Sequence, residues 1–156
     1  VAVNRGKQWE QKFREDWERT VPDSDIVRFN DQVSRYAGYS SNISDFMCFK
    51  SPELFYIECK TVHGNTLPMS RLTQYDKMIV RKNITGARPG FIVWWIDHDI
   101  VAWVPIHSVE QMKKDNKKSI NVKMIEKKVY DIVVIPSVKK RVFMDSDYSV
   151  LIKTGE

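Results

Sequence analysis

Three side chains in residues 43–61, ISDFMCFKSPELFYIECKT, are of the types that hydrolyse phosphodiesters when held together: Asp45, Glu58 and Lys60. Two carboxylates a few ångströms apart make a hard oxygen site for Mg²⁺ or Mn²⁺ that leaves positions for water and phosphate. An ammonium beside them can orient water or offset charge developing on phosphate. The flanking Ile, Phe, Met, Leu, Tyr and Cys are strand formers, and the segment reads as two strands folded back around KSPE. Alternation puts Leu54, Tyr56, Glu58 and Lys60 on one face and Phe55, Ile57 and Cys59 on the other. A four-residue turn over 50–53 then sets Phe49 against Leu54, Met47 against Tyr56 and Asp45 opposite Glu58. At roughly 5 Å and an effective dielectric near 20, two opposed carboxylates repel by about 3 kcal/mol. A divalent cation would remove that cost. The plainer reading of Glu-x-Lys is an exposed strand face carrying a weak ion pair.

The elements that must position these residues follow from periodicity. In GKQWEQKFREDWERT (6–20), Trp9, Phe13 and Trp17 recur at i, i+4 and i+8, which predicts an amphipathic first helix ended by VPDSD. Glu10 flanks that stripe, and spacing alone makes it a solvated helix carboxylate. IVRFNDQVSRYAGYSSN (26–42) has no sustained period and reads as an extended strand or projecting arm. After the hairpin, VHGNT is a loop. A second helix is expected near 68–82 with Pro68 at its start, containing Gln74, which is unremarkable there as a good helix former. ITGARPG is expected to be a loop, and FIVWWIDHDIVAWVPI (91–106) two apolar strands around the Asp97–Asp99 turn. SVEQMKK predicts a short helix and DNKKS a basic loop. YDIVVIP and KRVFMD predict further strands, while 147–153 is ambiguous between strand and helix. The order predicts a single domain over 1–156, a mixed α/β sheet flanked by helices.

Composition narrows the classes. With 156 residues, 42% hydrophobic, the chain can build one core. No run of eighteen apolar residues or export signal is present, so the expectation is a cytoplasmic protein without a membrane partner. Cys48 and Cys59 lie in apolar strands and are expected to be reduced, buried thiols. His63, His98 and His107 show no zinc-ligand spacing. The net charge is +5, and residues 113–141 hold ten Lys or Arg against only Asp115, Glu126 and Asp131. That asymmetry favours a polyanionic partner, although a solvated lysine-rich surface looks the same.

Asp45-x12-Glu58-Cys59-Lys60 fits the pattern of the PD-(D/E)xK nucleases, with Ser44 standing where the motif has Pro. Together with NRGKQWE (4–10), LPMSRLTQYDKM (67–78) and GFIVWWIDHDIVAWVPI (90–106), in that order, it resembles the RecU-type Holliday junction resolvases of Gram-positive bacteria and their phages, over residues 4–125. The resemblance implies a restriction-endonuclease-like fold. It also implies a homodimeric, Mg²⁺-dependent endonuclease, with Mn²⁺ able to substitute and no small-molecule cofactor, that cuts four-way DNA junctions at symmetric phosphates in recombination and repair. By the same resemblance Asp45, Glu58 and Glu10 hold metal, Lys60 is the motif lysine, and Gln74 is the glutamine of the helix after the motif strand. The segment before Asp45 is shorter than the stalk of the bacterial members, which favours a phage-encoded origin and a host-cytoplasm location. Its Arg28, Arg35, Tyr36 and Tyr39 are candidates for phosphate and unstacked-base contacts. Arg5, Lys7, Lys113, Lys114, Lys117 and Lys118 are further candidate phosphate contacts. A less selective endonuclease of the same fold and a non-catalytic branched-DNA-binding protein remain the alternatives.

Overall fold

The computed structural model describes residues 4–29 and 42–152. Helix α1 (Arg5–Thr20) begins where the Asn4 side chain accepts the Lys7 N–H at 3.1 Å. Its Trp9, Phe13 and Trp17 are fully buried, as their spacing requires. Strand β1 (Asp25–Arg28) follows. The hairpin of β2 (Phe46–Lys50) and β3 (Glu53–Val62) pairs Met47 with Tyr56 and Phe49 with Leu54, the expected register.

A 24-residue connection, 63–86, then allows β5 (Ala87–Trp95) to return parallel to β3. Within it, β4 (Thr66–Pro68) is followed by a 3-10 turn (Met69–Arg71) and by α2, which is only Tyr75–Ile79. The helix expected over 68–82 is therefore divided and shortened. Leu67, fully buried, pairs with Ile120 of β7 (Ser119–Asn121), so strand pairing claims Pro68 before a helix can start there. Beyond α2 the chain turns through bonds from the Arg81, Lys82 and Ile84 N–H groups to carbonyls three residues back.

ITGARPG is likewise not all loop. Ala87–Gly90 already pair with Leu54–Ile57. Pairing of β5 with β6 (Ile100–Pro105) starts only at Gly90, so Pro89 sits on a locally free edge, where its missing N–H is tolerated. At Gly90 a Cβ would stand 2.6 Å from the Val104 carbonyl and 2.7 Å from the Trp103 ring, which only glycine avoids.

Helix α3 (Ile106–Lys114), helix α4 (Val122–Lys127) and strand β8 (Val133–Val134) complete the main sheet, ordered β1-β2-β3-β5-β6-β8. YDIVVIP thus contributes two residues of strand rather than a full one, and α4 is a six-residue helix that periodicity could not flag. β9 (Ser137–Lys139) and β10 (Met144–Ser146) form a separate ribbon, followed by a 3-10 turn at Tyr148–Leu151.

β5 reads as a continuous apolar run because both of its faces are covered. Ile92 and Trp94 face α1, while Phe91, Val93 and Trp95 face the side of α2, α3 and α4. Cys48 and Cys59 are free thiols, the first buried and the second partly so. No helix among the described residues is long and apolar enough to cross a membrane.

The ribbon is fastened to α1 by Asp16. Its carboxylate is fully buried and takes Lys12 Nζ at 2.8 Å, Arg19 Nη2 at 2.9 Å and the Ser146 N–H at 3.0 Å. Asp16→Ala leaves the Ser146 N–H buried without its acceptor, while Lys12 keeps Asp145 and Arg19 reaches solvent, and is expected to cost about 2 kcal/mol, a fall in melting temperature of roughly 6 °C. A calorimetric change below about 1 kcal/mol would mean the ribbon holds without this contact.

Candidate active site

The ladder between β2 and β3 ends at the Phe46–Ile57 pair, and one step further the same register brings Asp45 to Glu58. Asp45 is clamped from both sides. Its backbone carbonyl accepts the Phe29 N–H at 2.9 Å and its Oδ2 accepts the Cys59 N–H at 2.8 Å. Ser44, in the motif's Pro position, is buried and closes the approach by donating to the Phe46 carbonyl at 2.8 Å. Since Phe55 and Ile57 point toward α1 and Val62 toward α2 and α3, alternation projects Glu58 and Lys60 to the second face.

Glu58 is 8% exposed, and its Oε1 is buried without a hydrogen bond. Lys60 Nζ lies 3.6 Å from its Oε2, an ion pair too long for a hydrogen bond. Burial, then the neighbouring Asp45 charge, pushes the Glu58 carboxyl up to about 8 against the pull of Lys60. Asp45 is also raised, chiefly by burial, with the Cys59 N–H, Lys60 and Arg28 opposing. The two carboxyls therefore retain a proton near neutrality that isolated carboxylates would lose.

A hard divalent cation fits this donor set. It would satisfy the orphaned Glu58 Oε1, join two oxygen donors from different strands and replace the proton that now relieves their repulsion. The fit rests on two carboxylates. Among the described residues no three His, Cys, Asp or Glu side chains gather closely enough to hold an ion, so Glu10 is not drawn into a cluster with Asp45 and Glu58. It binds Arg28 Nη2 at 3.0 Å instead, although its charge still adds to the upward push on Glu58.

The other expected residues lie on several elements. Gln74 immediately precedes α2, half-buried, and its side chain makes no capping bond to that helix. Arg5 lies over the Phe143 ring at 5.2 Å. Lys7, Glu10, Gln11, Arg14, Arg28 and Phe46 line a cleft of about 170 Å³ between α1 and β1. Arg35, Tyr36 and Tyr39 lie outside the described residues. Lys113 covers the Tyr75 ring at 4.5 Å, Lys114 reaches Glu110 at 3.9 Å, and Lys117 and Lys118 occupy the loop before β7. Sequence reasoning missed Arg71, whose Nη1 donates to the Thr61 carbonyl at 2.9 Å beside Lys60. No local pattern could have flagged it, because the contact depends on the path of the connection between β3 and β5. A larger cavity, about 380 Å³ around Asn65, His98 and Glu126, lies past the end of β3 and shares no residue with the carboxylate pair.

No protein-family model matches the sequence, and no curated protein matches it. In three dimensions the chain is similar to Hjc, a Holliday junction resolvase from the archaeal hyperthermophile Archaeoglobus fulgidus. The TM-score is 0.54 at 14% identity, covering 76% of this chain and 89% of that one. The likeness establishes the expected fold class, a mixed α/β sheet flanked by helices of the restriction-endonuclease-like kind.

The raised carboxyl has a consequence for stability. The native state holds a proton on Glu58 that the unfolded chain, titrating near 4.5, has released. The associated stability is full below pH 4.5 and is lost as pH rises to about 8, by roughly 5 kcal/mol at most. Glu58→Gln keeps the shape and removes the charge. Denaturant titrations from pH 5 to 9 should show a flatter profile for the variant, and a variant more stable than wild type at pH 8.5. Parallel profiles would show that Glu58 is not the titrating group.

Proposed function

We propose that this chain is a Mg²⁺-dependent endonuclease that resolves four-way DNA junctions by paired, symmetric nicks, acting as a homodimer. The observation that carries the reading is the Asp45–Glu58 pair beside Lys60, with a buried carboxylate oxygen that no protein donor satisfies. The fold shared with an archaeal Holliday junction resolvase supports the substrate. In this reading Asp45 and Glu58 hold the ion, which supplies Lewis acidity and neutralises charge at the scissile phosphate. Mn²⁺, with similar oxygen preference, substitutes.

The protein's own groups do the rest. The Cys59 N–H fixes the Asp45 carboxylate in the direction of Glu58. Lys60 Nζ, 3.6 Å from Glu58 Oε2, stands beside the ion site, where it can orient water or offset charge gathering on phosphate oxygens. Glu10, held by Arg28, adds negative potential from the α1 side and serves as a further acidic group at the rim. Gln74 keeps its assignment beside the site from the family resemblance. Lys7 and Arg28, in the cleft, take phosphates on the α1 side, and Arg5 extends that contact. Two equivalent sites in a two-fold dimer match the two-fold symmetry of a junction. The resemblance to RecU-type enzymes, with a short segment before Asp45, suits a phage-encoded protein working in the host cytoplasm.

The test is cleavage of an end-labelled four-way junction beside a linear duplex of the same sequence, with Mg²⁺ or EDTA. Opposed nicks confined to the junction are expected, absent with EDTA and reduced roughly a hundred-fold or more in Asp45→Asn while junction binding persists. Equal cutting of both substrates would reduce the assignment to a less selective nuclease. Binding without cutting under either metal would make the protein a non-catalytic DNA binder.

A further inference from the structure

Arg71 is exposed, and among the described residues no carboxylate lies within ion-pair distance of it. One of its donors is nevertheless fixed, bonded to the Thr61 carbonyl at 2.9 Å. Thr61 directly follows Lys60 and stands three residues past Glu58, so the guanidinium is anchored about 10 Å along β3 from the carboxylate pair. That span is about three base steps at 3.4 Å of axial rise. A guanidinium has five donors, and a single carbonyl leaves the others, and the whole charge, to be satisfied from outside.

The surroundings extend this charge. The turn that carries Arg71 is stitched to the loop before β7, since the Met69 N–H donates to the Lys118 carbonyl at 2.9 Å and Pro68 pairs with Ser119. Four residues beyond Arg71, the Tyr75 ring carries Lys113 at 4.5 Å. Lys113, Lys117 and Lys118 also make no ion pair among the described residues, in contrast to Lys114 with Glu110. Four cations without a direct ion pair among the described residues thus follow one another along the β4–α2–α3 side, starting at the strand that carries Glu58 and Lys60.

We propose that Arg71 is a phosphate clamp. It holds the cleaved strand a few nucleotides from the scissile phosphate, and Lys118, Lys117 and Lys113 guide the same DNA arm away from the site. The proposal rests on the endonuclease reading of Asp45, Glu58 and Lys60 and adds the direction in which the DNA leaves. It assigns Arg71 the registration of the strand, which a mobile lysine could not supply, because the Thr61 carbonyl fixes the guanidinium in place.

The experiment measures binding of wild type, Arg71→Ala, Arg71→Lys and Lys139→Ala to a labelled four-way junction in EDTA across a salt series, with single-turnover cleavage in Mg²⁺ alongside. Lys139, paired with Asp99 at 2.9 Å, is a remote charge control. Arg71→Ala is expected to weaken binding about ten-fold at fixed salt and to reduce the slope of log K against log salt by about 0.9, one phosphate contact. Its cleavage at saturating protein should slow about ten-fold. Arg71→Lys should regain the slope and only part of the rate, and Lys139→Ala should change neither. A folded Arg71→Ala protein with the wild-type slope would overturn the proposal, including one whose melting temperature alone falls. So would an equal loss in Lys139→Ala. If wild type binds but never cuts, the endonuclease reading fails while the salt slope still decides for or against Arg71.

Discussion

Two carboxyl groups face one another across an antiparallel pair of strands, in a position from which water is largely excluded. Opposed like charges destabilise a sheet, and the repulsion in this setting is about 3 kcal/mol, a substantial part of a small domain's stability. The rest of the molecule is arranged so that this apposition cannot relax. The β2–β3 register is fixed by Phe46, Cys48, Phe55 and Ile57, all buried against α1. A slip of one residue would turn that apolar set outward. Asp45 is tied through its backbone to Phe29 and through its side chain to Cys59, so neither rotation nor withdrawal is open to it. What remains to the pair is to keep a proton or, in the proposed reading, to take a cation.

The pair sits where β2 ends beside the middle of β3, on a sheet face and not in a deep cavity. The substrate expected of it is a polyanion too large to enclose, so recognition falls to charges displayed around the pair. The α1 side offers the cleft of Lys7, Arg14 and Arg28. The opposite side offers Arg71 and the lysines around the end of α3. In the proposed reading the phosphates of a strand would meet Lys7 and Arg28 on one side and Arg71 on the other.

Much of this was legible in the residues, for identifiable reasons. The stripe of Trp9, Phe13 and Trp17 gave α1, and strand alternation with a short turn gave the register that opposes Asp45 to Glu58, because both signals are local. Elements fixed by distant partners were not legible. The helix expected from Pro68 is interrupted because Leu67 pairs with Ile120, more than fifty residues away. Ala87–Gly90 looked like loop because the parallel partner that makes them a strand is β3. The same rule separates the site residues. Asp45, Glu58 and Lys60 lie on one hairpin and could be read together, whereas Glu10 meets Arg28 and Arg71 meets Thr61 only after the chain has folded.

The central claim is that the Asp45–Glu58 pair is built to exchange its retained proton for a divalent cation. Calorimetric titration of the metal-free protein with Mn²⁺ at pH 7, repeated in buffers of different ionisation enthalpy, tests it without reference to any DNA. The account predicts saturable binding whose heat depends on the buffer, because a proton leaves as the ion enters, and the loss of both in Asp45→Asn. Binding that releases no proton, or that survives Asp45→Asn unchanged, would contradict it.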